Sequence, residues 1–448
     1  MPHERAHDKL CDDGASLFAN GAPLGIAGEI EVMKILIAAA SFSSHLSGLQ
    51  RHAFNLVRCL LQQPEISAVH LVVAPWQREL VQAAGFSPDA RLSIHVAEMK
   101  PGSLNRNLWY YWELPKLAAS LHADVVHLSY PMPIRAASFA CPTVVTLHDL
   151  YPYEIPLNFG FPKFIFNRVI LRQCLRSVDA IACVSQATRL RLEQYLPART
   201  SQKAVRIYNC VEAEPVCAMV SPISGWQGEP FLLCVAQHRR NKNIPLLIRT
   251  FDRLLRSGRI DVDMKLVIVG ISGPETRDIH QLVSSHGLAR SVQFMEGLTE
   301  PELQWCYARC KALAAPSITE GFGLPVAEGL LAGCRIICSD IPAHREIGNG
   351  HCRFVMLRDN AEEALAEAVA ATLREPAKAP IVLPQFSPAI LAKQYVALYR
   401  NFVASAPPLA KARFSVSHRA TASEKATAMK KIEHNAAIHC RGDEHVGA

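Results

Sequence analysis

The sequence predicts an α/β protein with two parallel-sheet domains facing a central cleft. Three observations carry this. The length, 448 residues, suits two or three domains at roughly 100–200 residues each. Short β-branched runs alternate with helical patterns, as repeated βα units do when they build parallel sheets covered by helices on both faces. The alternation also stops and restarts around residues 212–228, a stretch bearing Pro, Gly and Ser without periodicity, which reads as a linker.

The first series opens at Met33. Lys34-Ile35-Leu36-Ile37-Ala38-Ala39-Ala40 is an apolar run of the kind that forms a buried parallel strand. A small, polar loop follows over 41–48, then an amphipathic segment over 51–61. Further strands are expected at 69–74, 124–128, 143–147 and 180–184. After the linker come strands at 231–235, 265–270, 292–294, 312–315 and 335–338. The organisation read from this is an extension (1–32), a first domain (33–211), the linker (212–228), a second domain (229–385), a helix returning to the first domain (386–404) and a basic tail (405–448). Both ends are expected to be disordered, and Met33 reads as a natural start of translation.

Composition narrows the function. Hydrophobic residues at 50% and charged residues at 19% exclude global disorder. No stretch approaches the ~18 consecutive apolar residues of a membrane-spanning helix. The net charge is +7, compatible with nucleic acid, an anionic membrane surface or an anionic substrate. It lies in the body: 1–32 carries six acidic against two basic residues, while 405–448 has seven basic against four acidic. The basic residues form neither a nucleic-acid motif nor a long run, so no nucleic-acid partner is expected. The 14 cysteines include no Cys-x-x-Cys and no zinc spacing, so they read as reduced and buried. The acidic start does not suit a secretory signal, and the compartment reads as cytoplasmic.

The segment richest in chemistry is Pro316-Ser317-Ile318-Thr319-Glu320-Gly321-Phe322-Gly323-Leu324-Pro325-Val326-Ala327-Glu328. It follows a predicted strand and opens a helix, with Pro325 suited to the first turn. Gly321 and Gly323 permit close approach of a ligand to main-chain N–H groups, and the helix start favours a phosphate or sugar hydroxyl. Glu320 in the loop and Glu328 about one turn into the helix can reach one bound molecule at different points. In open parallel sheets, ligands sit beyond the carboxyl ends of the strands.

In this segment the chain resembles the retaining glycosyltransferases of the GT-B fold, family 4, whose hallmark is Glu-x7-Glu in a Glu-Gly-Phe-Gly-Leu-Pro context. Segments 267–270, 294–297, 301–303, 332–334 and 339–347 agree, as do 147–150, 184–188 and 207–209 in the first half; the resemblance spans about 33–404. It implies two Rossmann-like domains, the first (33–211) for the acceptor and the second (229–385) for a nucleotide-sugar donor. By the same resemblance, Glu328 holds the ribose hydroxyls, Glu320 contacts the donor sugar, and the N–H groups of Phe322, Gly323 and Leu324 cradle the diphosphate or the sugar. Lys242 stabilises the departing diphosphate, which dispenses with a metal or other cofactor. His148 matches the active-site histidine. The usual arginine is missing around Gln237, leaving Arg239 or Arg240 to supply it. Gly48, in the loop after the first strand, lets main chain approach the donor phosphates or the acceptor, and Arg51 is placed to meet an anionic acceptor. The two carboxylates do not flank a scissile bond as in a glycosidase.

The stretch 339–347 is most similar to relatives that transfer mannose, making GDP-mannose the expected donor and a lipid-linked glycan or polysaccharide the expected acceptor. Residues 158–176 interleave Phe161, Ile165, Phe166 and Val169 with Lys163, Arg168, Arg172 and Arg176. This mixture suits an anionic membrane surface, at the inner face of the cell membrane. Two alternatives compete. A Rossmann oxidoreductase lacks its Gly-x-Gly-x-x-Gly after residue 40. A catalytically inactive sugar-nucleotide-binding scaffold is opposed by the intact Glu320, Glu328, Lys242 and His148.

Overall fold

The computed structural model describes residues 32–44, 46–212 and 221–404. The expectations for 1–31 and 405–448, and for 213–220 within the linker, lie outside the described residues.

Two parallel sheets make up the fold. The first contains β1 (Met33–Ala38), β2 (Ile66–Val73), β3 (Leu92–Val96), β4 (Val125–Leu128), β5 (Thr143–Leu147), β6 (Ala180–Cys183) and β7 (Ala204–Arg206), in the order β3-β2-β1-β4-β5-β6-β7. The second contains β8 (Phe231–Val235), β9 (Lys265–Val269), β10 (Val292–Met295), β11 (Ala312–Ala315), β12 (Ile336–Ser339) and β13 (Arg353–Val355), in the order β10-β9-β8-β11-β12-β13. In each sheet the strand order reverses once, at β1/β4 and at β8/β11, which opens a ligand crevice beyond the strand ends.

Period-two alternation fills both faces of each sheet. In β1, Met33, Ile35 and Ile37 enter one core layer and Leu36 and Ala38 the opposite one. The first of these layers is closed by helix Gly48–Leu61 and by the last helix, Pro388–Ala404, through Leu391, Tyr395 and Tyr399. Each fully buried Leu or Ile there contributes about 1.5–3 kcal/mol. The chain thus returns from the second sheet to pack on the first. The two passages between the sheets meet, with Val211 N–H donating to the Phe386 carbonyl at 3.0 Å.

Several details differ from the sequence reading. The strands β3, β7 and β13 were not expected, and all three lie at sheet edges, where one flank is free and the apolar run is weakest. The helix expected from 51 begins at Gly48, because Gln50 Oε1 accepts the Ser47 N–H at 3.1 Å and closes the first turn. Gly48 is therefore helical rather than in the loop. The returning helix starts at Pro388, preceded by a 3-10 turn at Pro384–Phe386. The described cysteines are all free, and most are buried.

Candidate active site

The loops after β8 and β11, at the switch point of the second sheet, bring Lys242 and Glu320 together. Lys242 Nζ lies 2.6 Å from Glu320 Oε1, and Ser317 Oγ donates to the same oxygen at 2.7 Å. Burial pushes the Glu320 carboxyl up, but Lys242, His344 and these hydrogen bonds outweigh it and hold it below its ordinary value. A cavity of about 10 Å³ adjoins the pair and is lined also by Gly323, Pro325 and His344.

The turn that carries Glu320 is shaped by its glycines. Gly323 has φ +100° and precedes helix Leu324–Leu331; a Cβ there would press on the His344 ring. Gly321 packs its Cα against the His148 carbonyl of the first domain, so any side chain would collide with main chain. The Phe322 ring points into the core against Tyr208 and Phe386; only its backbone faces the turn.

Glu328 lies on the first turns of that helix, buried. Its Oε1 accepts from Arg51 Nη1 at 3.0 Å and its Oε2 from the Tyr307 hydroxyl at 2.7 Å. Arg51 also pairs with Glu300 at 2.9 Å. Burial raises the Glu328 carboxyl, and the shared guanidinium only partly offsets this. Arg51, expected to meet an anionic acceptor, spans the cleft and is paired with Glu328 and Glu300. Gly48, one turn earlier, lies against Leu324.

Of the two arginines near Gln237, Arg239 acts on Asp149 across the cleft, and its buried Nε has no hydrogen-bond partner. Arg240 is exposed and opposes Glu275. Asp149 is raised to about 6, by burial first and then by Glu154 and Glu320.

On the first-domain side, the His148 Nε2 lies 2.8 Å from the Ser129 carbonyl. A carbonyl only accepts, so Nε2 carries the proton and Nδ1 remains an acceptor. Burial lowers this ring to about 4, so it is neutral at pH 7. Behind it runs an ordered chain. Asn209 Oδ1 accepts from His52 Nδ1 (2.9 Å), which leaves His52 Nε2 to accept from Thr146 Oγ1 (3.1 Å). Thr146 then accepts from His127 Nε2 (2.8 Å), whose Nδ1 accepts from the Tyr399 hydroxyl (2.7 Å). Each group has one assignable role only if both rings are neutral. Burial agrees, lowering His52 strongly and His127 to about 3. The His52 ring stands edge-on to His148 at 4.8 Å.

Several residues missed in the sequence close the cleft. The Tyr151 hydroxyl donates to Glu320 Oε2 at 3.1 Å. Arg191 donates to the Glu320 carbonyl at 2.8 Å and pairs with Glu154 at 2.7 Å. Ser185 and Thr188 both donate to the Gly321 carbonyl. Glu346 accepts the Gln186 and Ala187 N–H groups at 2.6 and 2.9 Å, a carboxylate on the start of helix Gln186–Tyr195. Tyr151 had one available signal, its place just beyond the carboxyl end of β5.

Two doubly wound domains, with a Glu-x7-Glu pair at the switch point of the second, define the GT-B class of glycosyltransferase. Sequence comparison agrees. The family described as Glycosyl transferases group 1 matches residues 221–381, and the one described as Glycosyltransferase Family 4 matches 46–215. The chain belongs to the family 4, group 1 glycosyltransferases. Among its relatives is the O-antigen chain mannosyltransferase RfbU of Salmonella typhimurium, 26% identical over 67% of this chain and 80% of that protein. O-antigen chain mannosyltransferase B of Escherichia coli is 24% identical over 70% and 84%. The crystal structure of Anabaena Alr3699/HepE in complex with UDP and glucose shares the fold, with a TM-score of 0.55, 16% identity, and coverage of 86% of this chain and 100% of that one.

Proposed function

We propose that the protein transfers a hexosyl unit, mannosyl first, from a nucleotide sugar to a lipid-linked glycan or polysaccharide with retention at the anomeric carbon. The observation that carries the reading is the Lys242–Glu320 pair, 2.6 Å apart at the second switch point, with Glu328 further along the same turn and helix. Lys242 is placed to stabilise charge developing on a departing diphosphate, Glu320 to hold a sugar hydroxyl, and Glu328 the ribose diol. Arg239 is the better placed arginine for the phosphates. GDP-mannose is the first donor to test, supported by the two O-antigen mannosyltransferases among the relatives.

The side chains favour a particular route for the proton. His148, at about 4, can accept a hydrogen bond from a sugar hydroxyl but is too weak a base to take its proton at pH 7. Glu320 is tied to Lys242. In the proposed reaction the acceptor oxygen bonds to C1 on the leaving-group face, the C1–O bond to the diphosphate breaks, and a diphosphate oxygen takes the acceptor's proton. The His148 Nδ1 and Glu320 orient the sugar. No metal or other cofactor enters this route.

The decisive experiment presents a panel of radiolabelled sugar nucleotides to the enzyme with membranes, comparing wild type with Glu320→Ala. Transfer from GDP-mannose that drops about 100- to 1,000-fold in the variant supports the reading. A donor that is bound but not consumed would sink it and leave the inactive scaffold; no donor bound would sink both.

Helix Lys163–Ser177 supports contact with an anionic membrane. Leu157, Phe161, Ile165, Phe166 and Val169 are 44–82% exposed, and Lys163, Arg172 and Arg176 are exposed beside them. Arg168, by contrast, is a structural residue: its Nε donates to the Pro152 carbonyl at 2.7 Å and its guanidinium covers the Tyr153 ring. Liposome flotation should therefore compare wild type with Lys163, Arg172 and Arg176 changed to Glu. Equal flotation on anionic vesicles would remove this part.

A further inference from the structure

Arg51 is placed against the preference of its own helix. It follows the first turn of Gly48–Leu61, which carries no acidic residue. A cation therefore sits near the positive end of the helix dipole, where an anion is favoured. A local conflict of this kind is expected where function requires the residue. The compensation lies across the cleft.

There the guanidinium is held at two points of the second domain. Nη1 donates to Glu328 Oε1 at 3.0 Å, and Nη2 pairs with Glu300 Oε2 at 2.9 Å. Glu300 opens helix Glu300–Arg309 and is itself held by Gln304 Nε2 at 3.0 Å. The planar fork of an arginine suits two carboxylates in fixed places, which the point charge of a lysine does not reproduce.

The acceptor count at Glu328 gives this contact a purpose. An ionised carboxylate offers about four lone-pair sites, two on each oxygen. Arg51 occupies one on Oε1, and the Tyr307 hydroxyl occupies one on Oε2 at 2.7 Å. One acceptor site is left on each oxygen, which matches the two hydroxyls of a ribose diol. Protonation would turn one of these acceptors into a donor and spoil the match. Glu328 is buried, and burial favours the protonated form. On helix Glu300–Arg309, Tyr307 is a neutral donor and Glu300 a like charge that raises the carboxyl further. The positive charge that lowers it comes from Arg51, in the other domain.

We propose that Arg51 is a positioning residue for the nucleotide: from the first domain it keeps both Glu328 oxygens acceptors, so that the second domain recognises a ribose diol only while the two domains are docked. The inference rests on the reading of Glu328 as the ribose contact and adds what governs that contact. By linkage, a nucleotide bearing the diol tightens the docking by the factor that docking tightens its binding. One without the diol does not.

Calorimetric titration with GDP and with 2′,3′-dideoxy-GDP tests it, with UDP and ADP as alternative bases. At pH 7, Arg51→Gln should bind GDP about tenfold more weakly than wild type, and its affinity for the dideoxy nucleotide should change less than about twofold. Without the cation Glu328 titrates higher. The variant's GDP affinity should therefore climb between about pH 6 and 8 with release of a proton, while the wild-type rise lies at lower pH. The heats in phosphate and Tris buffers read the proton, and the dideoxy nucleotide, whose phosphates titrate alike, supplies the baseline. In a Glu328→Gln background there is no carboxylate to orient, so adding Arg51→Gln should change GDP affinity less than about twofold. This pair keeps the test readable if Arg51→Gln alone fails to fold. Equal losses for the two nucleotides, an undiminished loss in the Glu328→Gln background, or a pH profile that stays at the wild-type position overturns the proposal. Wild type that binds no nucleoside diphosphate would sink the donor reading itself, whereas GDP binding indifferent to Arg51→Gln sinks this inference alone.

Discussion

The two sides of the cleft are built on different electrostatic plans. The second domain contributes fixed charge, a buried ion pair of Lys242 and Glu320 and a carboxylate at Glu328. The first domain's counterpart is a set of buried imidazoles, His52, His127 and His148, kept neutral by desolvation and by an ordered hydrogen-bond chain. Charge is thus concentrated where a diphosphate is proposed to bind, and the facing wall orients hydroxyls without competing for that charge. Among the polar groups the first domain sends across, Arg51, Tyr151, Arg191, Ser185 and Thr188 each meet a carboxylate or the main chain of the Glu-x7-Glu segment.

The difference can be broken most severely from the charged side. Lys242→Met leaves Glu320 buried without its cation and should cost about 3–5 kcal/mol in urea unfolding. The double variant with Glu320→Gln should recover most of this stability but not the transfer activity. Gly321→Val drives a side chain into the His148 carbonyl and forces the two walls apart. Sugar transfer should fall about 100-fold or more, with the far-ultraviolet circular dichroism of wild type.

The neutral wall predicts an acid response. A histidine whose folded pKa lies below 6.5 binds its proton more readily when unfolded, so its contribution is complete above pH 6.5 and is lost as pH falls towards 4. Asp149, raised to about 6, works the other way, because folding favours its protonated form between about 6 and 4. With three histidines against one aspartate, stability should fall on the order of 1–3 kcal/mol per pH unit near pH 5. Thermal melts across pH 4.5–7.5 measure it; a flat profile would contradict the neutral wall. Asp149→Asn should steepen the acid loss. The smallest effect is expected for Tyr399→Phe, which removes the first donor of the chain and should cost about 1 kcal/mol while leaving GDP binding unchanged.

Much of this architecture was legible because burial on both faces writes itself as runs of Val, Ile, Leu and Ala. The runs at β1, β5 and β9 have no other good explanation. Edge strands write a fainter signal: in β3, Leu92-Ser93-Ile94-His95-Val96, Ile94 is 44% exposed. Glu320 and Glu328 were singled out by a motif and its spacing, and Lys242 by the resemblance to the family. Their partners were not. Tyr151 and Arg191 meet Glu320 across 169 and 129 residues, through the docking of two domains that no local pattern encodes. Arg51 shows the same limit from the other direction, since its position near the cleft was read correctly but its commitment to Glu328 depends on that docking.

The hydrogen bond between Val211 and Phe386 has a mechanical meaning. Two bodies tied together by two strands of chain far apart can shear; tied by two strands lying side by side, they retain one soft motion, a swing about that line. Phe386 is part of this axle, and its ring touches both Tyr208 on the first-domain side and Phe322 in the Glu-x7-Glu turn. The Glu-x7-Glu turn therefore sits near the pivot, where a swing moves atoms least, while Arg51 and Arg191, contributed by the facing domain, are the latches such a swing must release.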